Sequence, residues 1–404
     1  MFSRLELKNF GIFNHFTWDD HAKINILIGK NDTGKSHLLK VLYSLAKSLE
    51  IYNKQSQPNA LQETFSTILA NKLIWTFQPE GKGLGELVTK GQSKLNVESR
   101  LCKENYYFSF GRDTTRKITD CSNHIGADKN HSAIFIPPKE VLTAFDAIAA
   151  IREQLEIFGF DDTYYDLIMS LRLPTTKGNI QKDMKEVLEN LVQLFEGEIV
   201  REGKQFILKR GREKFWMSQV AEGVKKIGIL TTLIRNRSLR KDTILFIDEP
   251  ENNLHPEAIV ALVKMLFSLS KADIQIYLAT HSYFVIKQFE LLARKHNENI
   301  QICSLLKEES NVVGEFHDLR YGLPSNPIIE TSLGLYEQDI EFREQLNYPP
   351  ASRLAMLTFK GRNEEKVKLM AEHVTRELEA LASGKTVPAS ESASVREMAA
   401  HVTL

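Results

Sequence analysis

The segment "KINILIGKNDTGKSHLLKVLYSLAK", beginning at Lys23, leaves few folds open. A short apolar run, "INILI", ends in a loop bounded by Gly29 and Gly34, and apolar residues at Leu38, Leu39, Val41, Leu42 and Leu45 then follow at helical spacing. The loop, "GKNDTGKS", matches G-x-x-x-x-G-K-[ST] in the context that motif needs, a buried strand before it and a helix after it. Gly29 and Gly34 permit backbone turns that a side chain would block, so the loop amides and the helix N-terminus can face an anion. Lys35 places a point charge on β- and γ-phosphates, and Ser36 offers a hydroxyl to Mg²⁺. The expected nucleotide-binding set is Gly29, Lys30, Asn31, Asp32, Thr33, Gly34, Lys35, Ser36 and His37, and the expected ligands are ATP and Mg²⁺.

A second apolar run, "TILFI", stops abruptly at Asp248 and Glu249. Two adjacent carboxylates at the end of a buried strand are costly unless something cationic meets them. Beside the Gly29–Ser36 loop, Asp248 is the expected metal ligand, because Mg²⁺ takes hard oxygen donors and keeps several waters. Glu249 points elsewhere and is the expected base for an attacking water. A third run, "IQIYLATHS", ends in His281, a candidate contact to a γ-phosphate. The plainer readings are a strand-end acid pair at a helix N-terminus and a structural histidine.

Strands alternating with helices at this spacing predict an α/β domain with a mostly parallel core sheet. "SRLELKNF" and "HFTWDD" predict an antiparallel N-terminal β subdomain. Residues ~51–130 are polar and irregular and read as an insertion or peripheral sheet; ~140–197 read as mainly helical; "EIVREGKQFILKR" reads as a hairpin turning at Glu202 and Gly203. The expected division is an ATPase domain over 1–340 with an insertion at about 51–200, a small β–α appendage over 341–383, and a disordered tail over 384–404 that is poor in apolar residues. Three widely spaced cysteines, Cys102, Cys121 and Cys303, argue against a disulfide framework and predict a reduced, cytoplasmic setting. No apolar run approaches the ~18 residues of a membrane span.

Taken together, "LKNFGIF", "GKNDTGKS", "AEGVKK", "LFIDEPENNLHP" and "ATHS" resemble ABC-type ATPases of the SMC/RecF/OLD group over roughly residues 1–340. The resemblance implies a homodimer that closes around two ATP molecules, with a signature loop of one subunit covering the γ-phosphate held by the other. That loop corresponds to "VAEGVKK", with Glu222 and Gly223 as nucleotide contacts; Ala221 stands where the group has serine, which removes one hydroxyl donor. Asn9 and Phe10 correspond to the adenine side. Asn253 and His255, in "ENNLHP", correspond to contacts across the dimer, although they also read as an N-cap region. The insertion is too short for a coiled-coil arm, and no Asp-x-Asp follows His281, so no intrinsic nuclease is expected. Small members of the group often act beside a separate effector such as a nuclease. The stretch Arg343–Leu381 also resembles part of the primosomal helicase PriA, without that protein's motor motifs.

Between Arg201 and Lys241 there are twelve basic and three acidic residues, a local balance of about +9. This predicts either a nucleic-acid-binding face or an ordinary solvated surface. Two functions follow: an ATP-hydrolysing switch that controls a partner, in antiphage defence or DNA repair, or a nucleotide-gated DNA-binding or scaffold protein with little turnover.

Overall fold

The computed structural model describes residues 1–55, 63–81, 83–122, 131–175, 184–185, 187–189, 197–203, 205–308, 311–346, 359–361 and 363–382. The chain divides into two compact units, 1–333 and 334–404.

The first unit is built on a sheet of six strands. Its order is β14 (Asn311–Asp318), β13 (Ile300–Glu308), β3 (Ile24–Gly29), β12 (Gln275–Ala279), β11 (Thr243–Asp248) and β7 (Ser132–Ile136). All neighbours are parallel except β14, which closes the edge as the antiparallel hairpin partner of β13. Every residue of β3, β7, β11 and β12 is buried, which is why each reads as a mainly apolar run. Alternation still sorts their side chains. Ile24, Ile26, Ile134, Leu245, Ile247, Ile276 and Leu278 enter a core on one face. Leu27, Phe135, Ile244, Phe246 and Tyr277 enter the core on the other. On this second face Phe135, Phe246 and Tyr277 stack in sequence, with centroids 6.1 and 5.3 Å apart.

The first of these cores is shared with α4 (Asp162–Arg172), α5 (Glu222–Arg235), α6 (Pro256–Lys271) and α7 (Tyr283–His296). The second is shared with α1 (Lys35–Lys54), α2 (Phe65–Phe77) and an antiparallel sheet. That sheet is ordered β2 (Phe13–Asp19), β1 (Phe2–Phe10), β4 (Lys94–Leu101), β5 (Glu104–Gly111) and β6 (Asp120–Cys121). Of the two readings of residues ~51–130, an insertion or a peripheral sheet, the structure shows the sheet: the region supplies β4–β6, which extend the N-terminal hairpin. A third sheet joins β8 (Glu198–Glu202), β9 (Gln205–Arg210) and β10 (Glu213–Trp216). Its first two strands are the expected hairpin, and β10 extends it. Of the region expected to be mainly helical, α3 (Phe145–Ala150), a π-helical turn over Ile151–Leu155 and α4 are described, and most of 176–196 is not.

One buried carboxylate ties α1 to the main sheet. Glu50 accepts from the backbone N–H of Ala133 in β7 at 2.9 Å, from Lys47 at 2.9 Å and from Lys54 at 2.5 Å. Burial alone would push its pKa up; the two lysines and the Ala133 amide outweigh this and hold it at about 2. A depressed carboxylate adds stability above its ordinary value of 4.5 and loses it as pH falls from there to about 2. Glu50→Gln is therefore expected to cost about 2 kcal/mol at pH 7 and to narrow the gap from wild type as pH falls below 4, measured by urea unfolding at both pH values.

The second unit holds most of α8 (Pro327–Gln345), which begins in the first, and α9 (Glu364–Ala382). The expected helix near "NEEKVKLMAEHV" is α9, whereas α8 runs through the point where a new domain was placed. The strand expected near "SRLAMLTFK" lies almost wholly outside the described residues, as does the 384–404 tail. No helix among the described residues is long and apolar enough to cross a membrane.

Candidate nucleotide site

Register brings the three motif segments to one edge of the main sheet. Asp248 pairs with Ala279, and Ala279 pairs with Leu27, so the three strands reach the same level together. Glu249 and Thr280–His281 then leave the sheet beside Ile28–Gly29, which stay paired with β13 for two more residues. The Thr280 N–H bonds Leu27 O at 3.0 Å and the Glu249 N–H bonds Ala279 O at 2.9 Å, which extends the ladder by one step into the loops.

The Gly29–Ser36 loop has the shape of a cradle. A Cβ on Gly29 would meet Leu305 O and Thr33 Oγ1 at 2.7 Å, and one on Gly34, whose φ is +81°, would meet the Phe13 ring at 2.6 Å. Lys35 is 7% exposed. Its ammonium donates to Gly29 O at 2.9 Å and Lys30 O at 2.8 Å, so the loop carbonyls hold it over the cradle. Burial lowers its pKa, and Asp248, Glu249 and Asp32 oppose that. Thr33 is buried and its hydroxyl donates to Lys30 O at 2.9 Å, whereas Asn31, Asp32 and His37 are exposed. The His37 ring stacks on Phe77 with centroids 5.7 Å apart.

Asp248 is 6% exposed, and burial raises its carboxyl to about 6 despite a hydrogen bond from Ser36. The neighbouring charge of Glu249 adds to the rise, and Lys40 and Lys35 oppose it. Ser36 and Asp248 together form a hard, two-oxygen donor set that suits Mg²⁺, which keeps waters in its remaining positions.

Glu249 takes φ +50°, a left-handed conformation seldom used by residues with a Cβ. Its carbonyl accepts from Lys226 at 3.0 Å, and its carboxylate accepts from Asn252 at 2.5 Å and lies 3.9 Å from His281 Nε2. Burial first, and then the charge of Lys35, lower the His281 pKa, so the ring is neutral near pH 7. Glu251 bridges the same two loops. Its Oε1 accepts from Thr280 Oγ1 at 2.7 Å and from the His281 N–H at 2.8 Å.

The segment expected to be the signature loop opens α5. Ala221 and Glu222 are exposed at its N-terminus, and no side chain caps it. Gly223 is buried: a Cβ there would meet Leu254 Cδ2 at 2.5 Å. Within one chain, then, this glycine serves close packing against the loop after β11. Asn253 donates to Glu222 across the same contact, and His255 accepts from the Glu257 N–H at the start of α6.

Two expectations need revision. Phe10 is 0% exposed in the core under the N-terminal sheet, with Phe77 packed edge-on at 5.6 Å, so its ring cannot lie against a base. Asn9 donates to Lys94 O at 3.0 Å. An apolar side chain that is both exposed and beside the cradle is Ile12, whose Cδ1 lies 2.9 Å from a Cβ placed on Gly34. The Arg201–Lys241 run is also not one cationic face. Lys225 and Lys226 are buried, with Lys225 donating to Thr143 Oγ1 at 3.0 Å. Lys209 and Lys214 pair with Glu202, Arg235 pairs with Glu198, and Lys241 pairs with Asp273. Lys204 lies outside the described residues. Sequence reasoning missed Lys226 because a charge count cannot tell an inward lysine from an outward one. It passed over Glu251 because the adjacent pair Asp248 and Glu249 stands just before it.

Comparison with known proteins bears on the same segments. The family model described as "AAA domain, putative AbiEii toxin, Type IV TA system" matches residues 110–287, and "AAA ATPase domain" matches residues 1–165. The Old nuclease of Escherichia phage P2 is 39% identical over 69 residues, 17% of this chain; the match spans only 11% of the phage protein's length. A solved SMC head bound to the C-winged helix domain of ScpA overlaps 79% of this chain and 98% of its own, at 12% identity and a TM-score of 0.47. The SMC head domain from Thermotoga maritima overlaps 78% and 98%, at 12% identity and a TM-score of 0.42.

Proposed function

We propose that this SMC/OLD-like ABC-type ATPase, supported as such by its two ATPase-domain matches and its Old nuclease relative, is a nucleotide-driven dimerisation switch. It binds ATP with Mg²⁺, hydrolyses it slowly, and pairs with a second copy while ATP is bound. The observation that carries this reading is the row Leu27–Ala279–Asp248, from which Lys35, Glu249 and His281 converge on one edge of the sheet.

Each residue has a role that its surroundings allow. The cradle from Gly29 to Ser36 binds the phosphates, with Lys35 as the fixed charge. Ser36 and Asp248 would hold Mg²⁺, which when bound neutralises charge on the phosphate oxygens. The Glu249 carboxylate, partly exposed and braced by Asn252, orients a water and takes its proton. Neutral His281 offers one hydrogen bond at the γ-phosphate end. Glu222 and the exposed start of α5 face the partner's nucleotide, and Ala221 contributes no hydroxyl there, which favours slow turnover.

The switch acts on a separate effector, of which a nuclease in antiphage defence or DNA repair is the leading class. Nucleic acid is the weaker partner, since half of the twelve basic residues in the run are paired or buried. The test is phosphate release together with mass in solution. Slow Mg²⁺-dependent release and a doubling of mass with ATP are expected; neither release nor a mass change would overturn the proposal. The uncapped start of α5 also supports a second reading, a nucleotide-gated scaffold. That reading predicts doubling of mass with phosphate release no faster than in buffer.

A further inference from the structure

Glu251 joins two loops that the sequence separates by thirty residues. One is the turn after β11, which carries Glu249 and Asn252–Leu254; the other is the exit of β12, which carries His281. A single oxygen, Oε1, receives both the Thr280 hydroxyl at 2.7 Å and the His281 N–H at 2.8 Å. Thr280 is fully buried, and its hydroxyl in turn accepts from the Ser282 N–H at 3.0 Å, which begins α7. The other oxygen, Oε2, is buried without a hydrogen-bond partner among the described residues. A carboxylate with one oxygen doubly engaged and the other unserved is a costly arrangement for a purely structural brace. Its geometry suits a clamp on the backbone of a histidine whose ring Nε2 lies 3.9 Å from the Glu249 carboxylate.

We infer that Glu251 is a positioning residue that holds His281 in place relative to Glu249. Because it stands in the same turn as Asn252–Leu254, it also makes the histidine follow any movement of the segment that packs on Gly223. This rests on the reading of Glu249 and His281 given above. Glu251 acts through the His281 backbone.

Glu251→Ala removes the acceptor, and Glu251→Gln keeps one oxygen for the same two donors. The alanine variant is expected to lose at least tenfold in kcat while its affinity for ATP, measured with Mg²⁺, stays within threefold of wild type. The glutamine variant is expected to recover to within threefold. The ring resonances of His281 in isotope-labelled protein should move on ATP addition in wild type and in Glu251→Gln, and not in Glu251→Ala. Wild-type kcat and a wild-type histidine response in Glu251→Ala would overturn the inference. Should the alanine variant not fold, isosteric Thr280→Val carries the test. It should slow turnover three- to tenfold at unchanged ATP affinity, and unchanged turnover overturns the clamp. His281→Ala separates the two levels. If it turns over normally, the reading of His281 and the clamp fall together. If it is slow while Glu251→Ala is not, only the clamp falls.

Discussion

Glu249→Gln is expected to reduce ATP hydrolysis by about 100- to 10,000-fold while leaving ATP affinity within a few-fold of wild type. The substitution removes a base and almost nothing else. Glutamine has the same shape, its oxygen can still accept from Asn252, and the left-handed backbone at φ +50° remains held by Lys226 through the carbonyl. With binding intact and hydrolysis blocked, the ATP-bound dimer should accumulate. It should appear in size-exclusion chromatography as a species of doubled mass that persists for hours in Mg²⁺–ATP. Turnover equal to wild type would remove Glu249 from its role and leave Asp248 or a bound water to be examined.

Lys35→Met should act one step earlier. It is expected to weaken ATP binding at least ~100-fold, about 2.7 kcal/mol, and to abolish both hydrolysis and nucleotide-dependent dimerisation. Methionine fills much of the volume of the lysine stem, so the change falls on the charge and on the two bonds to Gly29 O and Lys30 O. Those carbonyls lie at the cradle's rim, and thermal unfolding should shift by only a few degrees. Fluorescent nucleotide titration checks the first part and calorimetry the second. A variant that melts like wild type and binds ATP like wild type would take the cradle out of nucleotide binding. The two variants are complementary: one stops the cycle before the dimer and the other traps it after.

The parts of the fold that were legible in sequence are those whose burial is two-sided. β3, β11 and β12 show as apolar runs ending in polar residues because both faces of the main sheet are covered. Once the runs are located, the phosphate loop, the acid pair and His281 fall at their ends, and the parallel register unites them. What was not legible depends on pairing at a distance. β4 joins β1 through contacts across about ninety residues and carries β5 with it as a hairpin, and no local pattern says which earlier strand that peripheral sheet extends. α2, "FSTILANKLIWTF", is apolar on nearly all sides, so it shows no amphipathic stripe. Side-chain direction was the other gap. Phe10 looked available for a base and is interior, and Lys225 and Lys226 looked like surface charge and point inward.

The stack of Phe135, Phe246 and Tyr277 has a bearing on how tightly the site is toleranced. These rings sit on β7, β11 and β12, the strands that set where Asp248, Glu249 and His281 emerge. A slip of one residue would turn each ring to the opposite face and move a loop by about 3.3 Å, too far for a hydrogen bond to survive. The aromatic layer thus works like the locating pins of a mould: it bears no chemical load, yet it fixes the alignment of the parts that do. Wear at those pins should be felt as misfiring of the reaction before it is felt as loss of the fold.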